Sequence, residues 1–196
     1  MKAYIAMSGG VDSSVSALLM KQAGHDITGV TLRLHDKQGC GSADDAQGAA
    51  AVCEQLGAPH VIWDGQPRFK ASVMDHFAHS YLQGRTPNPC INCNRYLKFG
   101  YLLDKALAEG ADFVVTGHYA RIEQGANGRW LLKKGVSDQK DQSYVLYTLT
   151  QHQLEHLKLP LGKYTKEEIR EMARSAGFAN ADKPDSQDIC FVPDGA

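Results

Sequence analysis

A short apolar run, Tyr4-Ile5-Ala6-Met7, stops at Ser8-Gly9-Gly10, and beyond it Val11, Val15, Leu18 and Leu19 recur at helical spacing until Gly24. Strand, glycine turn and helix form the first unit, and the alternation then repeats. Residues 27–34 predict a second strand, 42–56 a helix ended by Gly57, and His60-Val61-Ile62-Trp63 a third strand, all joined by connections of βα length. A chain that alternates in this way buries its strands between helices, so the expected fold class is α/β, a doubly wound parallel sheet.

The remaining punctuation refines that picture. A helix is expected from Arg68 to Gln83, then a turn-rich stretch, residues 84–89, whose two prolines argue against regular structure. A helix over 93–109 follows, placing the pair Cys90-x-x-Cys93 at its N-terminus, and then the strand Phe113-Val114-Val115-Thr116. Asn127-Gly128 between Ala120-Arg121-Ile122 and Trp130-Leu131-Leu132 predicts a small β-hairpin insertion. Thr165-Lys166-Glu167-Glu168 is a capping box that opens a C-terminal helix ending at Gly177. The 196 residues are read as one catalytic domain, with 119–196 as insertion and tail.

Composition narrows the function classes. The 21 basic and 22 acidic residues give a net charge of -1, so no global field recruits nucleic acid, although local clusters can hold phosphates. The longest apolar runs fall far short of the ~20 residues of a membrane helix, and the N-terminus has neither a basic nor an apolar leader region, so a cytoplasmic protein without a membrane partner is expected. Five cysteines in such a chain suggest reduced thiols with chemistry rather than a disulfide framework.

The run Ser8-Gly9-Gly10-Val11-Asp12-Ser13-Ser14 is the sharpest chemical signal. Two glycines let backbone amides curl around an anion, the helix N-terminus adds its dipole, and the serines supply hydroxyl donors. A triphosphate suits it, and the absence of Gly-Lys-Ser/Thr or Gly-x-Gly-x-x-Gly argues against ordinary phosphoryl-transfer and dinucleotide sites. Asp12 is either a magnesium ligand or a first-turn helix carboxylate. Lys140 could hold a phosphate as a point charge. Cys53 and Met20 read as core residues, Met172 likewise, Cys40 as a loop thiol, and His152 with His156 as a solvated i, i+4 pair.

This run resembles the PP-loop of the ATP pyrophosphatases, an adenine nucleotide alpha hydrolase-like fold. Taken with Gly84-Arg85-Thr86-Pro87-Asn88-Pro89 and Cys93-Asn94, Thr116-Gly117-His118-Tyr119, residues 140–144 and Asp185-Ser186-Gln187-Asp188-Ile189-Cys190-Phe191, the chain is similar to the bacterial tRNA-specific 2-thiouridylases. The resemblance implies ATP-dependent 2-thiolation of the wobble uridine of tRNA: ATP with Mg2+ adenylates the uracil O2, a persulfide sulfur attacks C2, and AMP leaves. Carried over by motif, Ala6, Met7, Ser8, Gly9, Gly10, Val11, Asp12 and Ser13 bind ATP together with Leu32 and Gly117. Cys93 is the nucleophile, its thiolate favoured by the expected helix start, and Cys190 carries the persulfide. Asn88, Pro89 and Cys90 would meet the target base, and His118, Lys140, Asp141 and Gln142 would touch tRNA. A cysteine desulfurase or sulfur-relay protein is the implied partner.

Many members of that family carry Asp where this chain has Cys90. The third thiol leaves two mechanisms open. Cys90, Cys93 and Cys190 could ligate three irons of a [4Fe-4S] cluster whose fourth iron binds the transferred sulfide, or Cys93 and Cys190 could work as a persulfide pair; a structural zinc ranks behind both. The resemblance also implies a central domain and a C-terminal β-barrel, neither of which these residues contain, so weak tRNA binding by this chain alone is expected. The rival readings are another PP-loop ligase acting on a small molecule, and an ATP- or metal-binding remnant without thiolase activity.

Overall fold

The computed structural model describes residues 1–35, 41–185 and 189–192. Five strands, β1 (Lys2–Ala6), β2 (Asp26–Arg33), β3 (His60–Asp64), β4 (Phe113–Val115) and β7 (Leu157–Lys158), form one sheet in the order β3-β2-β1-β4-β7, with every neighbouring pair parallel. The chain moves outward from β1 to β3 and then returns to β4 on the other side of β1. Its topological switch point therefore lies between β1 and β4, where α/β sheets of this kind bind ligands.

Strand alternation feeds two cores. Tyr4, Val30, Leu32 and Val114 face one, with Phe69, Leu97, Phe99, Leu102 and Leu103; Ala3, Ile5, Ile27, Phe113 and Val115 face the other, with Val11, Val15, Ala49, Val52 and Ile169. The doubly wound arrangement follows. Helices α1 (Val11–Gln22), α2 (Ala43–Gln55) and α6 (Lys166–Ser175) cover one face, while α3 (66–82) and α4 (89–108) cover the other. A short helix α5 (Gln151–Glu155) precedes β7.

The expected elements are present with shifted boundaries. Helix α3 starts before Arg68 because Pro67 is accommodated in its first turn, where a missing N–H costs nothing. The same principle overturns the expectation for residues 84–89: Pro89 begins α4, with Asn88 Oδ1 accepting the Cys90 N–H at 3.0 Å as the N-cap. Both α3 and α4 include π-helical stretches, Lys70–Met74 and Cys93–Leu102. The antiparallel hairpin β5 (Ala120–Gln124) and β6 (Trp130–Lys134) lies outside the main sheet, with Gly128 at φ +77° in its turn.

The expected capping box is formed, Thr165 with Glu168 on α6, and the structure adds a second, Thr150 with Gln153 on α5, a helix whose five residues carry little periodicity. Strand β7, two residues long, has no pattern of its own; its pairing with β4 defines it. Cys53 and Met20 are core residues as expected, and Met172 packs against the same core. His152 and His156 lie ring against ring at 4.7 Å, with His156 Nδ1 2.9 Å from the His152 carbonyl oxygen. Cys40 lies outside the described residues.

Candidate active site

The glycine turn leaves the C-terminal end of β1 and enters α1 at the switch point. Gly9 takes φ +67°, a left-handed conformation that suits glycine, and Gly10 is the extended N-cap of α1, with no side chain capping it. The first intrahelical bond is Ser14 N–H to Gly10 O at 3.3 Å, so the amides of Val11, Asp12 and Ser13 precede the helical ladder and suit an anion. A Cβ on Gly10 would meet only Ser8 Oγ, at 3.6 Å, which leaves this side of the turn open.

The turn is braced from behind. Ser13 Oγ accepts the Ser8 N–H at 3.2 Å and donates to Gly10 O at 3.0 Å. Asn180 Nδ2 donates to Gly9 O at 3.1 Å and to Ser14 Oγ at 2.9 Å, and Lys183 pairs with Asp45 at 2.8 Å beside the same carbonyl. Gly117, two residues beyond β4, closes the other side: a Cβ there would stand 3.0 Å from Asp12 backbone carbon and Cβ.

In front of the turn lies a cavity of about 290 Å³, near the lower end of the range for small-ligand sites. Ala6, Met7, Ser8, Asp12, Ser13, Leu32 and Gly117 line it, as do Pro89, Cys90, Cys93, His118, Gln142 and Cys190. Most residues expected to bind ATP, the base or sulfur are thus gathered at one place. Gly9, Gly10 and Val11 do not line it; Val11 is buried in the core, and these three shape the turn through their backbone. Val30, Leu32 and Leu34 add an apolar lining that suits a planar base to a cavity that Ser8 and Ser13 also line.

The thiols depart from the sequence reading. Because α4 starts at Pro89, Cys90 is in its first turn and Cys93 in the second, where the helix dipole has largely faded. The dipole argument therefore applies to Cys90, which is exposed, and not to Cys93, which is half-buried like Cys190. All three thiols line the cavity, yet among the described residues no three His, Cys, Asp or Glu side chains are grouped so as to hold a metal ion. The donor chemistry suits iron and sulfur, while the side chains as placed do not form a ready ligand set.

The residues expected to touch tRNA divide. His118 is buried, its Nδ1 2.7 Å from Thr116 Oγ1; burial, reinforced by nearby Lys98, holds its pKa well below 6.5, so the imidazole is neutral. Gln142 Oε1 accepts the Tyr119 N–H at 3.0 Å and orients that strand exit. Asn88 is occupied in capping α4. Asp141 accepts from Gly135 N–H and Ser143 Oγ at 2.9 and 2.7 Å; burial alone would raise its pKa, but these bonds hold the carboxyl below its ordinary range. Lys140 is paired with Asp185 at 2.9 Å.

Asp12 is the first-turn carboxylate of α1, one of its two expected parts, and it has protein partners as well. Its Oδ1 accepts from Tyr119 OH and from Lys166 Nζ, both at 2.7 Å. Tyr119 is pushed to a high pKa, first by burial and then by the Asp12 charge, so it remains a donor. Lys166, Asn180 and Lys183 were not singled out from sequence. A lysine in the first turn of a charged amphipathic helix gives no sign that it will be buried, since lysine seldom is unless paired.

The family described as the tRNA methyl transferase HUP domain matches residues 1–194. The chain is 50% identical to the tRNA-specific 2-thiouridylase MnmA of Lachnoclostridium phytofermentans, covering 98% of this chain and 57% of the relative, and 49% identical to that of Clostridioides difficile, covering 98% and 56%. It thus spans little more than half the length of these curated relatives. Among solved structures, a 4-thiouridine synthetase–RNA complex with bound ATP aligns with a TM-score of 0.62 at 21% identity, over 97% of this chain and 44% of that one. The U34-tRNA thiolase NcsA of Methanococcus maripaludis, with its [4Fe-4S] cluster, aligns with a TM-score of 0.61 at 18% identity, over 96% and 60%. These two likenesses show the fold. Matched over nearly its whole length and half identical to such relatives, the chain belongs to the family of the tRNA methyl transferase HUP domain.

Proposed function

We propose that this chain carries the catalytic site of a tRNA-uridine 2-sulfurtransferase, using ATP to activate the uracil O2 and a cysteine persulfide to supply sulfur. The observation that carries the reading is the placement of Ser8, Asp12 and Ser13 of the glycine turn and of Cys93 and Cys190 on one cavity at the switch point. The amides and hydroxyls of the turn hold the phosphates, and the apolar wall of Val30, Leu32 and Leu34 receives the adenine. Asp12 would hold Mg2+ through the carboxylate oxygen not bonded to Tyr119 and Lys166, and the ion would offset phosphate charge.

The target base enters past Pro89, Cys90, His118 and Gln142. Its O2 attacks the α-phosphorus of ATP and pyrophosphate leaves, giving a C2–O–AMP bond. The terminal sulfur of a Cys190 persulfide attacks C2 and AMP departs with the oxygen. Cys93 thiolate then attacks Cys190 Sγ, the sulfur–sulfur bond to the product breaks, and 2-thiouridine is released, leaving a Cys93–Cys190 disulfide that a thiol reductant reopens. A cysteine desulfurase or sulfur-relay protein delivers the persulfide sulfur. Neutral His118, which lines the same cavity, can donate one hydrogen bond without adding charge there. Two thiols suffice for this sequence, and no step requires Cys90.

The test is pyrophosphate release from ATP with a wobble-uridine tRNA, and 2-thiouridine measured by nucleoside mass spectrometry after charging with a desulfurase and cysteine. The wild-type chain should do both. Cys190→Ser and Cys93→Ser should abolish 2-thiouridine while retaining tRNA-dependent pyrophosphate release. Thiolation at wild-type levels in either variant would overturn the assignment.

A further inference from the structure

Cys190 stands between two pins. Five residues upstream, Asp185 pairs with Lys166 at 2.7 Å, Lys140 at 2.9 Å and Arg170 at 3.5 Å. Burial alone would raise the pKa of Asp185, but the bonds from Lys166 and Lys140 hold the carboxyl below its ordinary range, so it stays charged. One residue downstream, Phe191 is buried and meets Phe69 and Phe77 edge-on, with ring centres 5.6 and 5.4 Å apart. The apolar pin fixes depth against α3. The polar pin ties Asp185 to the nucleotide turn.

That tie runs through a single ammonium. The Lys166 side chain is 7% exposed, and its Nζ lies 2.7 Å from Asp185 Oδ1 and 2.7 Å from Asp12 Oδ1. Asp12 lines the cavity from the first turn of α1, whereas Asp185 does not line it. Lys140 and Arg170 also neutralise Asp185, but among the described residues only Lys166 is paired with both carboxylates. In a poorly solvated place such an ammonium holds two like charges together; without it they repel and Asp185 loses its register with α1.

We propose that Lys166 is the positioning residue for Cys190, holding Asp185, five positions before the thiol, against the nucleotide turn by pairing with Asp12 and Asp185 at once. The inference deepens the reading of Cys190 as sulfur carrier and rests on it. Lys166 touches neither the base nor the transferred sulfur; it acts through the two carboxylates.

The test is the rate of N-ethylmaleimide modification of each thiol in the 196-residue chain, resolved by peptide mass spectrometry. In Lys166→Met the Cys190 rate should rise at least fivefold, Cys93 on α4 should change less than twofold, and core Cys53 should stay unmodified. Lys166→Arg, which keeps the charge, should return Cys190 to within twofold of wild type, a rescue that a purely space-filling lysine would not show. A Cys190 rate within twofold of wild type in Lys166→Met, with Cys53 still protected, would overturn the proposal. If Cys53 becomes reactive because that variant unfolds, Asp185→Asn is read by the same criterion, since it breaks the Asp185 end of the link and leaves Asp12 its ammonium. Alkylation needs neither ATP nor tRNA, so it decides the positioning role even where the thiolation assay fails.

Discussion

Replacing Gly9 by alanine tests how rigidly the glycine turn is held. At φ +67° an L-residue costs roughly 1–2 kcal/mol. The added Cβ would also stand 2.6 Å from Asp45 O and 2.7 Å from Asp45 Cα, backbone atoms in the first turn of α2 that cannot yield unless the helix or the turn moves. Overpacking of that kind costs about 1–3 kcal/mol, so Gly9→Ala should lose about 2–5 kcal/mol in all. Gly24→Ala is the matched control, because Gly24 has φ +78° with nothing within 4 Å of the added Cβ and so carries the conformational cost alone. Urea unfolding of the two variants should therefore differ by about 1–3 kcal/mol at unchanged slope. ATP affinity should fall in Gly9→Ala and hold in Gly24→Ala. Equal destabilisation of the two variants would refute the claim that α2 backs the nucleotide turn.

Two further consequences can be measured. Burial holds the folded-state pKa of His118 below its unfolded value of 6.5, so nothing is gained or lost above pH 6.5, and stability declines as pH falls below it because only the unfolded chain takes up the proton. The slope from this one group is at most ~1.4 kcal/mol per pH unit; His60 and His25, also lowered by burial, act in the same direction. His118→Gln should flatten the urea-derived stability profile between pH 6.5 and 5 relative to wild type, and an unchanged slope would contradict a buried neutral imidazole. Asn180→Ala removes the donor that serves Gly9 O and Ser14 Oγ, which should cost about 1–3 kcal/mol and weaken ATP binding several-fold, both readable by urea unfolding and equilibrium titration. Unaltered ATP affinity would show that the turn does not depend on its backing.

The sequence by itself determined the alternation of strands and helices, the hairpin and the capped C-terminal helix, because apolar period, glycine punctuation and capping signatures are local properties. The Ser-Gly-Gly turn was legible for the same reason: a glycine that takes a left-handed φ and a helix that starts immediately after it require only neighbouring residues. Only the tertiary structure decided that Cys90 and not Cys93 lies in the first turn of α4, since Pro89 could have closed a loop or opened a helix and packing chose the helix. It also decided the pairing of β7 with β4 and the burial of Lys166 between Asp12 and Asp185, partners 154 and 19 positions away in the chain. No local pattern marks a lysine for burial, because the carboxylates that make burial tolerable are brought to it by the winding of the sheet.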